Sequence, residues 1–333
     1  MVGLKIKYLR FLEKRKNLLE NFFWYLLKLF SFLYLFFVET NNWLYEKGIR
    51  KSYKSKKKLI NIGNIVWAGT AKTSLVIYLA TKLKNKFRVA CILKGYAPDE
   101  YQLVKEKAGN IFEAKNRLSL IKKLEDEFDV FILDDCFQYR KLFYNLNILM
   151  MREKDLYSFN LIPAGIYREP LKSIRRADLV VVSYVENKEF VRRRLLSLKN
   201  DLEIFFLHYK FKNFLNKEKR IVDASYFRNK DVGVLCAVGY PQGFLDTLKK
   251  EISFLRIKKF VFYPDHFQFK DKEIKKIEKR FLEEGIEDII ITYKDYYHID
   301  FEKTSLNYFI FDVDLYIEEE ELFLKKIEDV LSM

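Results

Sequence analysis

The stretch NIGNIVWAGTAKTS, residues 61–74, closes an apolar, strand-like run and opens a helix-like one. A loop that binds phosphate needs inward-facing backbone N–H groups and a helix N-terminus aimed at the anion. It also needs a lysine for the terminal phosphates and a hydroxyl for Mg²⁺. Lys72 and Thr73 supply the last two, and Gly69 can relieve the tight turn. The general pattern GxxxxGK[ST] fails twice, because Val66 and Ala71 stand at its glycine positions. On this stretch alone, a nucleotide loop and an ordinary strand–turn–helix both stay open.

Working outward, VFILDD is four apolar residues ending in Asp134 and Asp135. Carboxylates at the end of a buried strand, beside a phosphate loop, are where such folds hold Mg²⁺. Further short apolar runs recur at 87–96, 145–151 and 177–184, with helix-like segments at 73–83 and 99–109. Apolar runs without polar alternation, separated by helices, predict a parallel sheet covered on both faces. Residues 203–230 lack a clear period and read as a connector that includes an extended ribbon. Alternation resumes from 231, with strands near 231–239, 258–264, 287–293 and 307–317 and an amphipathic helix over 270–285. The expected division is residues 1–50 as an N-terminal helix and basic linker, and 51–205 as a phosphate-loop α/β domain. Residues 206–230 form the connector and 231–333 a smaller α/β domain.

Residues 17–38, NLLENFFWYLLKLFSFLYLFFV, are almost long enough to span a bilayer but are interrupted by Glu20, Asn21 and Lys28. Basic runs flank both ends, at 14–16 and 50–58, so no clean orientation rule applies. Aromatic residues and flanking lysines predict a helix lying in, or dipping into, an anionic membrane interface. A buried core helix is the competing reading. The chain has 333 residues and a formal net charge of +15, which favours anionic partners. No finger spacing, helix-turn-helix or aromatic RNA-binding pattern accompanies the charge, so nucleic acid is not expected. Three scattered cysteines form neither a metal motif nor a disulfide framework.

Only three histidines are present. His266, in YPDHFQF, follows a strand next to Asp265, where an imidazole can relay a proton. Asp99 and Glu100 precede a helix, where capping alone would explain them. Arg168, in IPAGIYREP, could clamp a phosphate, or belong to a solvated basic face.

These pieces fall in one order. IGNIVWAGTAKTS is followed by KGYA at 94–97, PDEYQLV at 98–104, DDCFQY at 134–139 and IPAGIYREP at 162–170. Then come AVGYPQGF at 237–244, YPDHF at 263–267 and TYKD at 292–295. In this the chain resembles the tetraacyldisaccharide 4'-kinases, the lipid A 4'-kinases of Gram-negative bacteria. The resemblance implies a P-loop NTPase-like domain plus a smaller α/β domain, an active site in the cleft between them, and an N-terminal membrane-associated helix. It implies ATP held by Gly69, Thr70, Ala71, Lys72 and Thr73, with Arg117, Arg168 and Glu169 nearby. Mg²⁺ would be held by Thr73, Asp134 and Asp135, and Asp99 would be the base for the sugar hydroxyl with His266 as its partner. Implied partners are an acylated glucosamine disaccharide lipid and anionic lipids at the cytoplasmic face of the inner membrane, for a monomeric enzyme. Against the family pattern, Ala68 and Ala71 replace glycine, Lys94 replaces arginine, Cys136 glycine and Tyr139 histidine. These changes keep a second reading open, a divergent nucleotide-binding relative with weak or no kinase activity. A third is an unrelated soluble phosphate-loop ATPase with a hydrophobic N-terminal core helix.

Overall fold

A computed structural model of the chain describes residues 8, 11–12, 17–67, 69–95, 97–157 and 159–332. Ala68 and the basic run 14–16 lie outside the described residues. The chain forms two compact units. One comprises the described residues before 96 together with 104–208 and 317–332, and the other comprises 97–103 and 209–316.

The larger unit is a parallel sheet. Its strands are β1 (Lys58–Gly63), β2 (Val89–Leu93), β3 (Ile111–Glu113), β4 (Val130–Asp134), β5 (Leu146–Arg152) and β6 (Leu179–Ser183). They are ordered β6-β5-β1-β4-β2-β3, and Glu203–Leu207 of β7 (Glu203–Leu215) pairs in parallel with β6. β2, β4 and β6 are buried along their whole length. A parallel strand covered on both faces has no solvent side on which polar residues could alternate. The covering helices are α2 (Lys72–Leu83), α4 (Arg117–Leu124), α5 (Lys188–Leu196) and α9 (Glu320–Ser332). In α2, Leu75, Val76, Leu79, Ala80 and Leu83 form the buried stripe at helical spacing. α4 sends Ile121 and Leu124 against Leu59, Ile92, Phe131 and Leu133.

The decisive local geometry is at the end of β1. The strand stops at Gly63, three residues earlier than its apolar run. A Cβ on Gly63 would fall 2.6 Å from Phe137 Cβ and 2.8 Å from its backbone nitrogen. Only glycine lets the turn after β4 approach this closely. β1 pairs with β4 in register, Ile62 against Asp134, and the Asp135 N–H donates to Ile62 O at 2.9 Å. The acidic pair is thereby fixed at the same sheet edge as the loop that leaves β1.

The helix at the N-terminus, α1 (Leu18–Glu46), has 29 residues, a length of about 44 Å at 1.5 Å per residue. Asn17 caps it by accepting from Glu20 N–H at 2.8 Å. Its only buried residue is Ser31. Phe22 is 71 % exposed, Phe36 66 % and Phe37 69 %. That exposure rules out a buried core helix. A polar seam holds one side of α1 to residues 161–169. Trp24 Nε1 donates to Ala164 O at 2.9 Å. Ser31 Oγ donates to Leu161 O and accepts from Ala164 N–H. Tyr34 donates to Arg168 O, and Asn42 Nδ2 to Glu169 Oε2.

The smaller unit is built on the parallel strands β9 (Asp231–Cys236), β10 (Arg256–Phe262), β11 (Asp288–Ile291) and β12 (Asn307–Ile317), ordered β10-β9-β11-β12. Residues 214–215 of β7 pair antiparallel with β8 (Ile221–Val222). Helices α6 (Pro241–Glu251), α7 (Asp271–Leu282) and the short α8 (Tyr293–Tyr296) follow β9, β10 and β11. Ile274, Ile277 and Phe281 form the buried stripe of α7. The Phe281 ring lies so close to β9 that a Cβ on Gly233 would sit 2.5 Å from it. The N-terminal turns of α3 (Pro98–Ala108) also belong to this unit.

Ala71 precedes α2 with φ +67° and ψ 20°, the left-handed conformation that glycine adopts freely. An L-residue there costs about 1–2 kcal/mol, partly offset because glycine is more flexible when unfolded. Ala71→Gly is therefore expected to stabilise the fold by about 0.5–1 kcal/mol, read from the midpoint of urea unfolding. A lower midpoint would show that the alanine backbone is unstrained.

Candidate active site: two clusters of ionic side chains

The first cluster surrounds the loop between β1 and α2. Asn64, wholly buried, donates from Nδ2 to Thr70 Oγ1 at 2.9 Å, bracing the loop across its base. The segment IPAGIYREP fastens its outer edge. Trp67 N–H donates to Ile166 O, Arg168 N–H donates to Ile65 O, and Val66 bridges to Tyr167. α2 begins at Lys72, and Ala71 offers no side-chain cap to its first turn. Such an end presents partial positive charge.

Asp135 is the centre of this cluster. Its backbone is left-handed, φ +53°, a conformation aspartate tolerates better than most residues. Arg168 grips its carboxylate with both arms, Nη2–Oδ1 at 2.7 Å and Nη1–Oδ2 at 3.0 Å. Lys72 Nζ is 3.6 Å from Oδ1. Burial alone would raise the Asp135 pKa. The charges of Lys72, Arg168 and Arg117 outweigh it and hold the carboxyl well below the usual range. Arg168 also donates to Asn64 O at 3.0 Å and to Asn64 Oδ1. Arg117, at the start of α4 and almost fully buried, donates to Asp134 O at 2.9 Å. Its guanidinium lies 5.7 Å from the ring centre of Tyr139.

Glu169 belongs to a neighbouring cluster. Its oxygens accept from Arg176 at 2.8 and 2.9 Å, from Gln138 at 3.1 Å and from Asn42 at 3.2 Å. The structure does not bring it to Lys72 or Asp135. Gln138 links the two clusters, since its Nε2 also donates to Asn64 O.

The oxygens of Thr73, Asp134 and Asp135 form a hard donor set of the kind Mg²⁺ takes. Asp134 and Thr73 are buried beside the loop, and Asp135 carries two cationic partners. By donor type alone, these residues suit the ion.

The second cluster lies wholly in the smaller unit. Asp99, on the first turn of α3, is 1 % exposed. His266 Nδ1 sits 2.9 and 3.0 Å from its two oxygens. His266 Nε2 is 3.6 Å from Asp265 Oδ2. His298 Nε2 lies 3.4 Å from Asp99 Oδ2, a close contact without hydrogen-bond geometry. Burial would raise the Asp99 pKa, but the imidazoles of His266 and His298 and the charge of Lys294 hold it well below the usual range. Burial pulls His266 down, and the Asp99 bond and Asp265 outweigh that, for a net upward shift. Lys294 pairs with Glu100 at 2.5 Å.

One residue at the end of β9 sets this geometry. The Ala237 N–H donates to Asp295 Oδ1 at 2.7 Å, and Ala237 O accepts from His266 N–H at 3.2 Å. Asp295 also closes a capping box with Thr292, tying the start of α8 to the same point. Burial pushes Asp295 up to about 6 against those hydrogen bonds. His266 itself is left-handed, φ +61°, which aims its ring at Asp99. His298 was not singled out from sequence. Its available signal was its place three residues after Asp295, one helical turn on in TYKDYYHI.

The family model described as Tetraacyldisaccharide-1-P 4'-kinase matches residues 23–110 and 97–332. A tetraacyldisaccharide 4'-kinase of Aquifex aeolicus is 34 % identical over 268 residues, 73 % of this chain and 82 % of that one. One of Flavobacterium psychrophilum is 26 % identical over 333 residues, 90 % of this chain and 94 % of that one. The crystal structure of the "apo" form of LpxK from Aquifex aeolicus in complex with ATP superposes with a TM-score of 0.68. It is 28 % identical and covers 91 % of this chain and 97 % of that one. By its sequence and its fold, the chain belongs to the tetraacyldisaccharide-1-P 4'-kinase family.

Proposed function

We propose that the protein transfers the γ-phosphoryl group of ATP to the 4'-hydroxyl of tetraacyldisaccharide 1-phosphate, at the cytoplasmic face of the inner membrane. The observation that carries this reading is the pairing of buried Asp99 with His266 in a chain whose phosphate loop keeps Lys72, Thr73, Asp134, Asp135 and Arg168. A carboxylate held by imidazole suits a proton acceptor, and the cationic cluster suits a polyphosphate. The hydroxyl oxygen forms a bond to the γ-phosphorus as the bond to the bridging oxygen of ADP breaks, and the hydroxyl proton passes to Asp99. Phosphoryl transfer has a loose transition state, so the attacking hydroxyl becomes strongly acidic only as its bond to phosphorus forms. A carboxylate of low basicity is adequate for that late proton, and His266 keeps it ionised and oriented. Lys72 and Arg168 neutralise charge on the phosphoryl oxygens. Mg²⁺, held by Thr73, Asp134 and Asp135, would supply further neutralisation of the phosphates.

The left-handed backbone of Ala71 supports an active enzyme over the weakly active relative, because the loop keeps the conformation glycine would give it. The membrane location is supported by the exposed Phe, Leu and Tyr side of α1, opposite its docked seam, and by the lysines over 51–58.

Incubation of the protein with γ-labelled ATP and tetraacyldisaccharide 1-phosphate in detergent is expected to give labelled lipid. Asp99→Asn should lower kcat by about 10²–10⁴-fold. ATP binding without transfer by the unaltered chain, or full activity in Asp99→Asn, would contradict the reading. His266→Gln removes a bond that stabilises the Asp99 carboxylate and leaves burial less opposed. The Asp99 carboxyl then titrates at higher pH, so the acid limb of the kcat/KM profile should move upward; an unmoved limb would remove His266 from this role. Replacing Phe22, Leu26, Phe36 and Phe37 with Ser should shift the protein from membranes to the soluble fraction without lowering its melting temperature. Each residue withdraws about 1.5–3 kcal/mol of apolar contact with lipid. Retention on membranes would place the anchor elsewhere.

A further inference from the structure

The cluster around Asp99 has more ligating capacity than a two-residue proton relay requires. One carboxylate oxygen and two imidazole nitrogens, from Asp99, His266 and His298, all lie within 4.8 Å of one another. Asp99 is 2.9 Å from His266 Nδ1 and 3.4 Å from His298 Nε2. A tetrahedral zinc ion with bonds of about 2.0–2.1 Å spaces its ligands by roughly 3.3 Å. Small side-chain rotations would therefore admit the ion.

His298 supplies an independent observation. It is 7 % exposed, and its Nε2 has no hydrogen-bond partner although it points at Asp99. Its contact with Asp99, at 3.4 Å, lacks hydrogen-bond geometry; a buried polar atom without a hydrogen bond is costly to keep, and a metal ion would satisfy it. Asp265, 3.6 Å from the other nitrogen of His266, stands where carboxylates commonly orient metal-bound imidazoles. Lys294, the cation near the cluster, is neutralised by Glu100 at 2.5 Å. Two imidazoles and one carboxylate suit Zn²⁺ or Co²⁺, whereas Mg²⁺ favours the all-oxygen set at Thr73, Asp134 and Asp135.

We propose that Asp99, His266 and His298 form a second metal site, selective for a borderline cation such as Zn²⁺, with the fourth coordination position open. The metal takes the Asp99 lone pair that would accept the hydroxyl proton, and so it inhibits. Binding stands on the side chains alone, while the inhibitory consequence rests on the kinase reading above.

The test is titration of the full chain, in detergent and without ATP or lipid, with Co²⁺ followed by Zn²⁺. One equivalent of Co²⁺ should give the visible absorption of a low-coordinate nitrogen and oxygen site, and Zn²⁺ should abolish it. His298→Asn should weaken binding by at least about tenfold, and Asp134→Asn with Asp135→Asn should leave it unchanged. Absence of the band, equal affinity in His298→Asn, or loss of the band only in the Asp134 and Asp135 variants would overturn the proposal. Should His298→Asn melt below the assay temperature, Asp99→Asn and His266→Gln decide by the same criterion. In the transfer assay, Zn²⁺ should lower kcat, as loss of the Asp99 base does, and leave the KM for ATP unchanged. A His298-dependent band in a chain that never transfers phosphate would sink the kinase reading and leave the metal site standing.

Discussion

The two-armed grip of Arg168 on Asp135 is the contact around which the larger unit's ionic cluster is built. It closes a circuit. Asp135 is pinned to β1 through Ile62, Arg168 is pinned to the same strand's exit through Ile65 and Asn64, and Lys72 completes the ring from α2. Lys72 and Arg168 meet the Asp135 carboxylate and Arg117 donates to the Asp134 backbone carbonyl, so three cations gather at two acidic residues. The excess is positive and sits beside a helix N-terminus. In a poorly solvated site such an excess is satisfied by an anion.

The same grip reaches the surface. Because Arg168 fixes IPAGIYREP, that segment and the Leu161 before it can offer Leu161 O, Ala164 O and Arg168 O to one side of α1. The helix is held by hydrogen bonds along a narrow seam, and its apolar side chains are left for another medium. A helix of this composition held mainly by apolar packing would have buried its phenylalanines. Glu169, which sequence grouped with the phosphates, serves this scaffold, since Arg176, Gln138 and Asn42 occupy its oxygens.

The fold class was legible because parallel strands buried on both faces leave continuous apolar runs, as at β4 and β6. The order of short motifs identified the family before any geometry was known. The first strand stops before its apolar run does, and apolar content cannot report that Phe137 needs the space beside Gly63. Helix α4 was not anticipated from AKNRLSLIKKL, whose apolar positions are too few and too short a run to stand out. His298 escaped notice because its meaning comes from proximity to Asp99, 199 positions away in sequence. Ala71 was conspicuous as a departure, but its left-handed backbone could be seen only in three dimensions.

On the proposed function, a phosphate loop with alanine before its lysine still binds ATP. Isothermal titration of Mg·ATP into the unaltered chain, Lys72→Ala and Ala71→Gly decides this. One saturable site is expected in the unaltered chain, lost or weakened at least about tenfold in Lys72→Ala, where a charge-assisted contact worth about 1.5–3 kcal/mol is removed. Affinity within a few-fold of the unaltered chain is expected in Ala71→Gly. Absence of binding in the unaltered chain, with tight binding restored by Ala71→Gly, would contradict it.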